Sequence, residues 1–357
     1  YLDAFDPPAV EVFQSGNARK GKGGTTISPK YRFGLDWTTS QRIKDGFWPK
    51  VWPTADRYDE QAKGHNYLYD MMLFVEKTII QGNTHCLVCG DTLYETLKPT
   101  VCSKHLCIFS HEEYGLGVDL AAEVINNEEV VDLMITMTAA ACGNTNAFEP
   151  FPSSVEAKHT YKENGMTKTK TLQFVNSSGA KDYTNVKSVV SLIPPTKKLR
   201  FWAEAKILKQ ELDKIHKLAY PLLRWIMASN RCHLKCLHQK ERIKSLKTQF
   251  QYILMSTPPE QEKPWKELKK KYGSFFAWHG SALGCWHAIM RTGLKNMSGT
   301  KGQVNGTAYG SGVYMAAGSS TSFGYMRFTS GWKNSIFGGG GNLGCLALCE
   351  CIKHPDL

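Results

Sequence analysis

The stretch FFAWHGSALGCWHAIMRTGL, from Phe275 to Leu294, ends an apolar run with three small or polar residues and then takes up helical spacing. Four apolar or aromatic residues precede His279, Gly280 and Ser281, which predicts a strand that presents these three residues at its end. The following apolar residues recur three or four positions apart as far as Gly293, a residue type favoured just after a helix. The sequence therefore predicts a strand, a polar strand end and a helix.

A second motif, NGTAYGSGVYMAAGSSTSFGY, follows a few residues later and ends at Tyr325. Its glycines flank a predicted turn, VYMA predicts a short strand that contains Tyr314, and the serine-rich piece predicts a helix start that contains Ser322. Two neighbouring strand ends beside a helix N-terminus would form a narrow slot with aromatic walls and backbone N–H groups at its floor. Such a slot suits a flat ring that carries an amide.

Together, the two motifs resemble the NAD⁺-binding signature of the poly(ADP-ribose) polymerase superfamily of ADP-ribosyltransferases. That signature is H-G-S/T, then G-x-G-I-Y, with a serine eight and a tyrosine eleven residues after the tyrosine, and Ser322 and Tyr325 keep both spacings from Tyr314. Further segments resemble the sixth and eighth members of the superfamily, which are mono-ADP-ribosyltransferases: LYETLKPTVCSKHLC, FEPFPS, AYPLLRWIMASNRCHL and NLGCLALCECI.

The resemblance implies an enzyme that transfers one ADP-ribose from NAD⁺ to a protein side chain and releases nicotinamide. The residues it implies as catalytic are His279, which would hold a hydroxyl of the adenosine ribose, and Tyr314, which would line the pocket. The NAD⁺-binding set it implies is His279, Gly280, Ser281, Tyr314, Ser322 and Tyr325. Within this set, the Gly280 backbone and the Ser322 hydroxyl would hold the nicotinamide carboxamide, and Tyr325 would stack on the ring.

The sequence predicts an α+β protein. Its C-terminal part is expected to be a mixed or antiparallel β-sheet ADP-ribosyltransferase fold, truncated at its C-terminus and preceded by a helical region and a Cys-rich module of zinc type. Tyr1 at the first position and the loop-like end predict a fragment, so the third catalytic position of the superfamily would fall beyond Leu357. The expected segments are a remnant of an upstream domain (1–55), the Cys-rich module with flanking helices (56–148), a linker or long loop (149–195), the helical region (196–270) and the start of the catalytic domain (271–357).

The Cys-rich segment spaces four cysteines as C-x2-C-x12-C-x4-C, at Cys86, Cys89, Cys102 and Cys107. A C-x2-C turn delivers two thiolates from one knuckle, and a second pair closes a tetrahedral site, so the pattern predicts structural zinc. The alternative is a group of buried thiols without a metal, since C-x4-C is a looser spacing. Clustered cysteines favour a reducing compartment, and the expected location is the cytoplasm, with the nucleus as an alternative.

The distribution of charge leaves nucleic acid open as a further class of partner. The chain carries a formal net charge of +12, and the segment from Lys197 to Lys247 has fourteen Lys and Arg residues but four Asp and Glu. Solvated lysine faces on helices explain this segment most simply, and a nucleic-acid footprint is the alternative. No apolar run reaches the roughly twenty residues of a membrane span. A second candidate function is a catalytically silent scaffold that binds NAD⁺ or ADP-ribose and recruits proteins through its zinc module.

Overall fold

The computed structural model describes residues 72, 75, 80–94, 96–114, 118–246, 248–300, 303, 308, 310–338 and 341–355. The chain divides into two compact units, Tyr1–Ile108 and Phe109–Leu357. The predicted remnant over 1–55 lies outside the described residues. No helix in the described part of the chain combines the length and apolar character that crossing a bilayer requires.

The second unit combines runs of helices with short strands, and all described strand pairs are antiparallel. This agrees with the antiparallel part of the predicted sheet. The helices are α1 (His105–Tyr114, which crosses the unit boundary), α2 (Leu120–Asn126), α3 (Glu128–Ala141), α4 (Tyr183–Leu192), α5 (Thr196–Glu204), α6 (Leu208–Ile215), α7 (Ala219–Ala228), α8 (Pro259–Tyr272), α9 (Cys285–Thr292) and α10 (Ser319–Phe323). The strands are β1 (Glu156–Glu163), β2 (Met166–Gln173), β3 (His233–Cys236), β4 (Tyr252–Ser256), β5 (Ser274–Ser281), β6 (Thr329–Ser330), β7 (Asn342–Leu343) and β8 (Cys345–Ile352).

The segment 149–195, for which the sequence predicts a linker or a long loop, contains the β1–β2 hairpin and helix α4. The hairpin turns at Asn164 and Gly165, both with positive φ, as a two-residue hairpin turn requires. Asp182 caps α4 by accepting a hydrogen bond from the Asn185 N–H at 2.9 Å. The apolar face of α4 is buried in the main core, so this segment is part of the folded unit.

The segment 196–270 is helical at both ends, as predicted, but the β3–β4 hairpin interrupts it. The main core is built around α3, whose Val131, Met134 and Ile135 are fully buried, and it includes apolar faces of α4, α5 and α7. A smaller cluster of Met137, Ala140, Leu283 and Trp286 joins α3 to the residues that lead into α9.

Two close contacts fix the site-bearing part of the unit on this core. Gly284 precedes α9, and a Cβ there would lie 2.9 Å from the Ala140 carbonyl oxygen, so glycine allows α9 to approach α3 closely. Asp132, fully buried on α3, accepts hydrogen bonds from the Ser335 hydroxyl and from the Ile336 N–H at 3.0 Å. Burial raises the pKa of Asp132. These bonds hold the 331–338 loop against the helical core.

Arg291, in the last turn of α9, is a buried cation that bonds the end of α7. Its guanidinium donates to the Ile226 carbonyl at 2.9 Å, to the Ser229 hydroxyl at 2.8 Å and to the His287 carbonyl at 3.0 Å. It also lies over the Trp225 ring, 5.8 Å from its centroid. Carbonyls at a helix C-terminus carry partial negative charge, so this contact suits a cation. Burial nevertheless lowers the pKa of Arg291 to about 9.

Arg291→Met is expected to lower the free energy of unfolding by about 2–4 kcal/mol, because three hydrogen bonds of a buried charged group are lost. Urea unfolding, followed by tryptophan fluorescence, measures the change. Arg200→Met is the matched control: Arg200 is half-exposed and pairs with Glu204 at 3.0 Å, so about 0–1 kcal/mol is expected there. Equal effects in the two variants would contradict the role of Arg291.

Candidate active site

The site is built at the end of β5, where the opening motif lies. Strand β5 pairs with β8 along its whole length, with His279 opposite Ala347 and Gly280 opposite Leu346. On its other edge, β5 makes a bridge to the second motif. The Trp278 N–H donates to the Ala316 carbonyl at 2.7 Å, and the Ala316 N–H donates to the Trp278 carbonyl at 2.9 Å. This bridge brings the two motifs together.

The bridge also determines where the Gly280 backbone points. Hydrogen-bonding direction alternates along an antiparallel strand, so residues two apart direct their N–H and C=O groups to the same edge. Trp278 directs both groups toward Ala316. Gly280 therefore directs its N–H and C=O away from β8, to the side on which the second motif lies. A donor and an acceptor side by side form the complement of a primary amide.

Gly280 and Ser322 are in close contact. A Cβ on Gly280 would lie 1.9 Å from the Ser322 carbonyl oxygen, so only glycine allows α10 to lie against the strand. The Ser322 side chain is buried, and its hydroxyl donates to the Trp278 carbonyl at 2.7 Å. Its lone pairs remain suited to accept an amide N–H. Tyr325 follows one turn later, with its N–H bonded to the Ser322 carbonyl, and its side chain is 51% exposed.

His279 and Tyr314 are joined by a hydrogen bond. The Nδ1 of His279 lies 3.0 Å from the Tyr314 carbonyl oxygen. Because a carbonyl only accepts, Nδ1 must carry the hydrogen, and Nε2 of the neutral ring is then an acceptor for a hydroxyl group. The Tyr314 hydroxyl donates to the Gly310 carbonyl at 2.6 Å, and its side chain is 37% exposed. The site thus presents a histidine acceptor beside an exposed aromatic ring.

The structure brings the predicted residues together, with Ser281 at the last position of β5. One detail of the second motif differs from prediction: VYMA forms no regular strand, and only Ala316 bridges to β5. Two residues were missed. Trp278 binds both Ala316 and Ser322 through its backbone, and Trp286 packs its ring edge-on to His279, with centroids 6.0 Å apart. The signal that could have revealed Trp286 is its position at the start of α9, five residues after Ser281.

The four predicted metal ligands also come together, in the first unit. The sulfur atoms of Cys86, Cys89, Cys102 and Cys107 all lie within 4.8 Å of one another, and no histidine or carboxylate joins this group among the described residues. The Cys102 N–H donates to the Cys86 sulfur at 3.2 Å. Burial and the Cys86 thiol raise the pKa of Cys89 to about 12, and burial also raises the pKa of Cys107. Four clustered thiols therefore need a cation to ionise together, and the set fits a closed tetrahedral zinc site.

Comparison with known proteins finds a family match that spans the residues of the β5 site. Residues 235–354 match the family model described as the poly(ADP-ribose) polymerase catalytic domain, which includes every residue of the β5 site. The match begins before residue 271, the predicted start of the catalytic domain, and takes in the end of β3, all of β4 and α8.

Several curated proteins are similar to the chain. Protein mono-ADP-ribosyltransferase PARP8 from Mus musculus is 32% identical over 336 residues, which cover 85% of this chain and 38% of the relative. The Homo sapiens PARP8 is 32% identical over 83% of this chain and 37% of its own length. Protein mono-ADP-ribosyltransferase PARP16 from Homo sapiens is 29% identical over 43% of this chain and 48% of its own length. The chain spans less than two fifths of the PARP8 proteins that it matches. On the family model and these relatives, residues 235–354 form a segment of the poly(ADP-ribose) polymerase catalytic-domain type, within a chain that is similar to the PARP8 proteins.

Proposed function

We propose that the protein is a mono-ADP-ribosyltransferase that uses NAD⁺ as a substrate and protein side chains as acceptors. The single observation that carries this proposal is the joining of the two motifs: the Trp278–Ala316 bridge sets His279, Gly280, Tyr314 and Ser322 around one strand end. The PARP8 relatives, named as mono-ADP-ribosyltransferases, support the mono-transferring form of the activity.

In this proposal, the Gly280 N–H and C=O and the Ser322 hydroxyl hold the nicotinamide carboxamide. Tyr325 stacks on the ring, and Tyr314 lines the opposite side. The Nε2 of His279 accepts a hydrogen bond from a hydroxyl of the adenosine ribose. Ser281 directly follows Gly280 as the last residue of β5. Holding both ends of NAD⁺ fixes the bond between ribose and nicotinamide for attack, which supplies a large part of the rate enhancement.

The chemistry breaks the bond between ribose C1′ and the nicotinamide nitrogen, and the electron pair of that bond goes to nicotinamide. A nucleophilic atom of the acceptor side chain forms the new bond to C1′ and loses its proton to solvent or to a base. The positively charged nicotinamide ring becomes neutral as it leaves. The site residues act by binding and orienting NAD⁺ through this step.

We further propose that the cysteine cluster holds structural zinc. One zinc per chain is expected by metal analysis of purified protein, because four thiolates close one tetrahedral site. Cys89→Ser should lose the metal and make the first unit sensitive to protease. Cys236→Ser, a half-buried cysteine outside the cluster, should keep both the metal and the protease resistance. A folded, protease-resistant wild type without metal would contradict this proposal.

We place the protein in the cytoplasm, with the nucleus as the alternative. The support is chemical: the described cysteines are free thiols, and the cluster needs reduced sulfur to hold a metal. Fluorescence microscopy of the tagged full-length protein tests this, and retention in the secretory pathway would contradict it.

A further inference from the structure

The β1–β2 hairpin is a two-stranded ribbon that extends into solvent. Every residue from Thr160 to Thr171 is exposed, so both faces of the ribbon are solvated over most of its length. The residues at its base, Ala157 and Leu172, pack against the main core. A two-stranded ribbon gains little stability by itself. Because the side chains beyond its base face solvent and not the core, they are available to a partner.

On one face of the ribbon, two rings of β1 lie opposite two lysines of β2, and Glu163 and Met166 complete this face at the tip. The register places Tyr161 opposite Lys168 and His159 opposite Lys170, and successive residues along each strand point to opposite faces. The rings of His159 and Tyr161 are nearly parallel, with centroids 6.1 Å apart and 14° between their planes. We call these two rings and the two lysines opposite them the ring face. The opposite face holds lysines and threonines but no ring.

The charges of the ring face are only partly neutralised. Lys168 pairs with Glu163 at 2.7 Å, while Lys170 forms no ion pair with any described residue. The basic helices behave differently, since Lys209 pairs with Asp213 and Lys214 pairs with Glu211 on the same helix. These pairs favour the prediction of solvated lysine faces for α6. The stronger candidate surface for an anion is the ribbon.

A cleft of about 310 Å³ lies at the base of the ring face. Its wall includes Lys170 from the ribbon, Asn185 from α4 and His216 from the turn between α6 and α7. The Leu218 N–H donates to Nδ1 of His216 at 3.2 Å, so Nε2 carries the hydrogen in the neutral ring and is a donor. Burial and the nearby His159 lower the pKa of His216. The cleft therefore combines an ammonium group, an imidazole N–H and an amide, which suits a phosphate with a polar base edge.

We propose that the ring face and the adjoining cleft bind single-stranded nucleic acid. A base stacks on Tyr161 or His159, the ammonium groups of Lys168 and Lys170 lie along the phosphates, and the cleft receives the next nucleotide. Exposed aromatic rings with interspersed cations are the general means by which proteins bind single strands. This surface is separate from the β5 site, and the proposal does not depend on the proposed enzymatic activity.

The test is fluorescence anisotropy of a labelled 20-nucleotide oligouridine with the full-length protein, titrated at several salt concentrations. Wild type should bind, with affinity that falls as salt rises. Tyr161→Ala should weaken binding about 10-fold through lost stacking. Lys170→Glu should weaken it at least about 10-fold and flatten the salt dependence. Both positions are exposed, so melting temperatures should match that of wild type.

Lys158→Glu is the matched control, because Lys158 lies on the same ribbon but on the opposite face, across from Thr171. It makes the same change of charge and should weaken binding less than about threefold. Equal losses for the two charge reversals would overturn the proposal. Undetectable oligouridine binding at low salt would also overturn it. So would polyglutamate binding as tight as that of oligouridine together with no effect of Tyr161→Ala, since that result removes the role of base stacking.

Discussion

His279→Ala should reduce ADP-ribose transfer from NAD⁺ by at least about 100-fold while the protein stays folded. His279 is oriented by its bond to the Tyr314 carbonyl, so Nε2 offers one well-placed acceptor for a ribose hydroxyl. Losing that acceptor lets the ribose move relative to the held nicotinamide, and misplacement by about 1 Å costs roughly 100-fold in rate. The fold should survive, because β5 is held by its ladder with β8 and by the Trp278–Ala316 bridge, and both are formed by the backbone.

The measurement for this variant is nicotinamide release, with melting temperature as the check on folding. His238→Ala serves as the control, because His238 lies in the exposed β3–β4 loop, away from the site residues. Transfer by a folded His279→Ala protein at the rate of the His238→Ala protein would mean that the site is assigned to the wrong residues.

Gly280→Ala should abolish transfer for a different, steric reason. The added methyl group would lie 1.9 Å from the Ser322 carbonyl oxygen, far inside van der Waals contact. This oxygen belongs to the backbone, so it cannot move aside as a flexible side chain could. Strand β5 and helix α10 must therefore separate. This displaces the Gly280 backbone from the Ser322 hydroxyl, and in the proposed binding mode these two groups hold the carboxamide together. We expect a loss of at least about 100-fold in transfer, with about 1–3 kcal/mol of destabilisation from overpacking.

Gly312→Ala is the matched control for this variant. Gly312 lies in the second motif, as Ser322 does, but a Cβ there meets nothing within 4 Å among the described residues. Transfer by the Gly312→Ala protein should stay within about threefold of wild type. Wild-type transfer by Gly280→Ala, or equal losses at the two positions, would show that close packing of α10 on β5 does not build the pocket.

The motifs that form the β5 site are visible in the sequence because they depend on local chemistry. A glycine at a close backbone approach, a histidine at a strand end and a serine and tyrosine at fixed spacings are visible without knowing the packing. What the motifs could not reveal is how they meet. The Trp278–Ala316 bridge joins residues far apart in sequence through backbone groups, and backbone groups leave no trace in side-chain pattern.

The linker predicted over 149–195 was wrong for a physical reason. Strands β1 and β2 expose both faces, so they lack the alternation of apolar and polar residues that marks a half-buried strand. The available signal was the Asn164–Gly165 pair, which favours a two-residue hairpin turn. The β3–β4 hairpin was missed for a related reason: its exposed Ile253, Leu254 and Met255 are consecutive apolar residues, which suit a buried helix as well as a strand.

The geometry of the cysteine cluster, unlike the two hairpins, was predictable from the spacing of the cysteines. One C-x2-C turn and a second pair after twelve intervening residues bring four sulfurs within 4.8 Å of one another. Ligand type and spacing are both local, so they survive uncertainty about the surrounding fold.

Incubation of the full-length protein with isotopically labelled NAD⁺, with intact mass and nicotinamide release measured together, is the most direct test of the proposed transfer. We expect mass increases of single ADP-ribose units, matched by equal amounts of nicotinamide, and the loss of both in His279→Ala. Saturable NAD⁺ binding that raises the melting temperature, without mass increase or nicotinamide release, would contradict the transferase and leave a silent NAD⁺-binding scaffold.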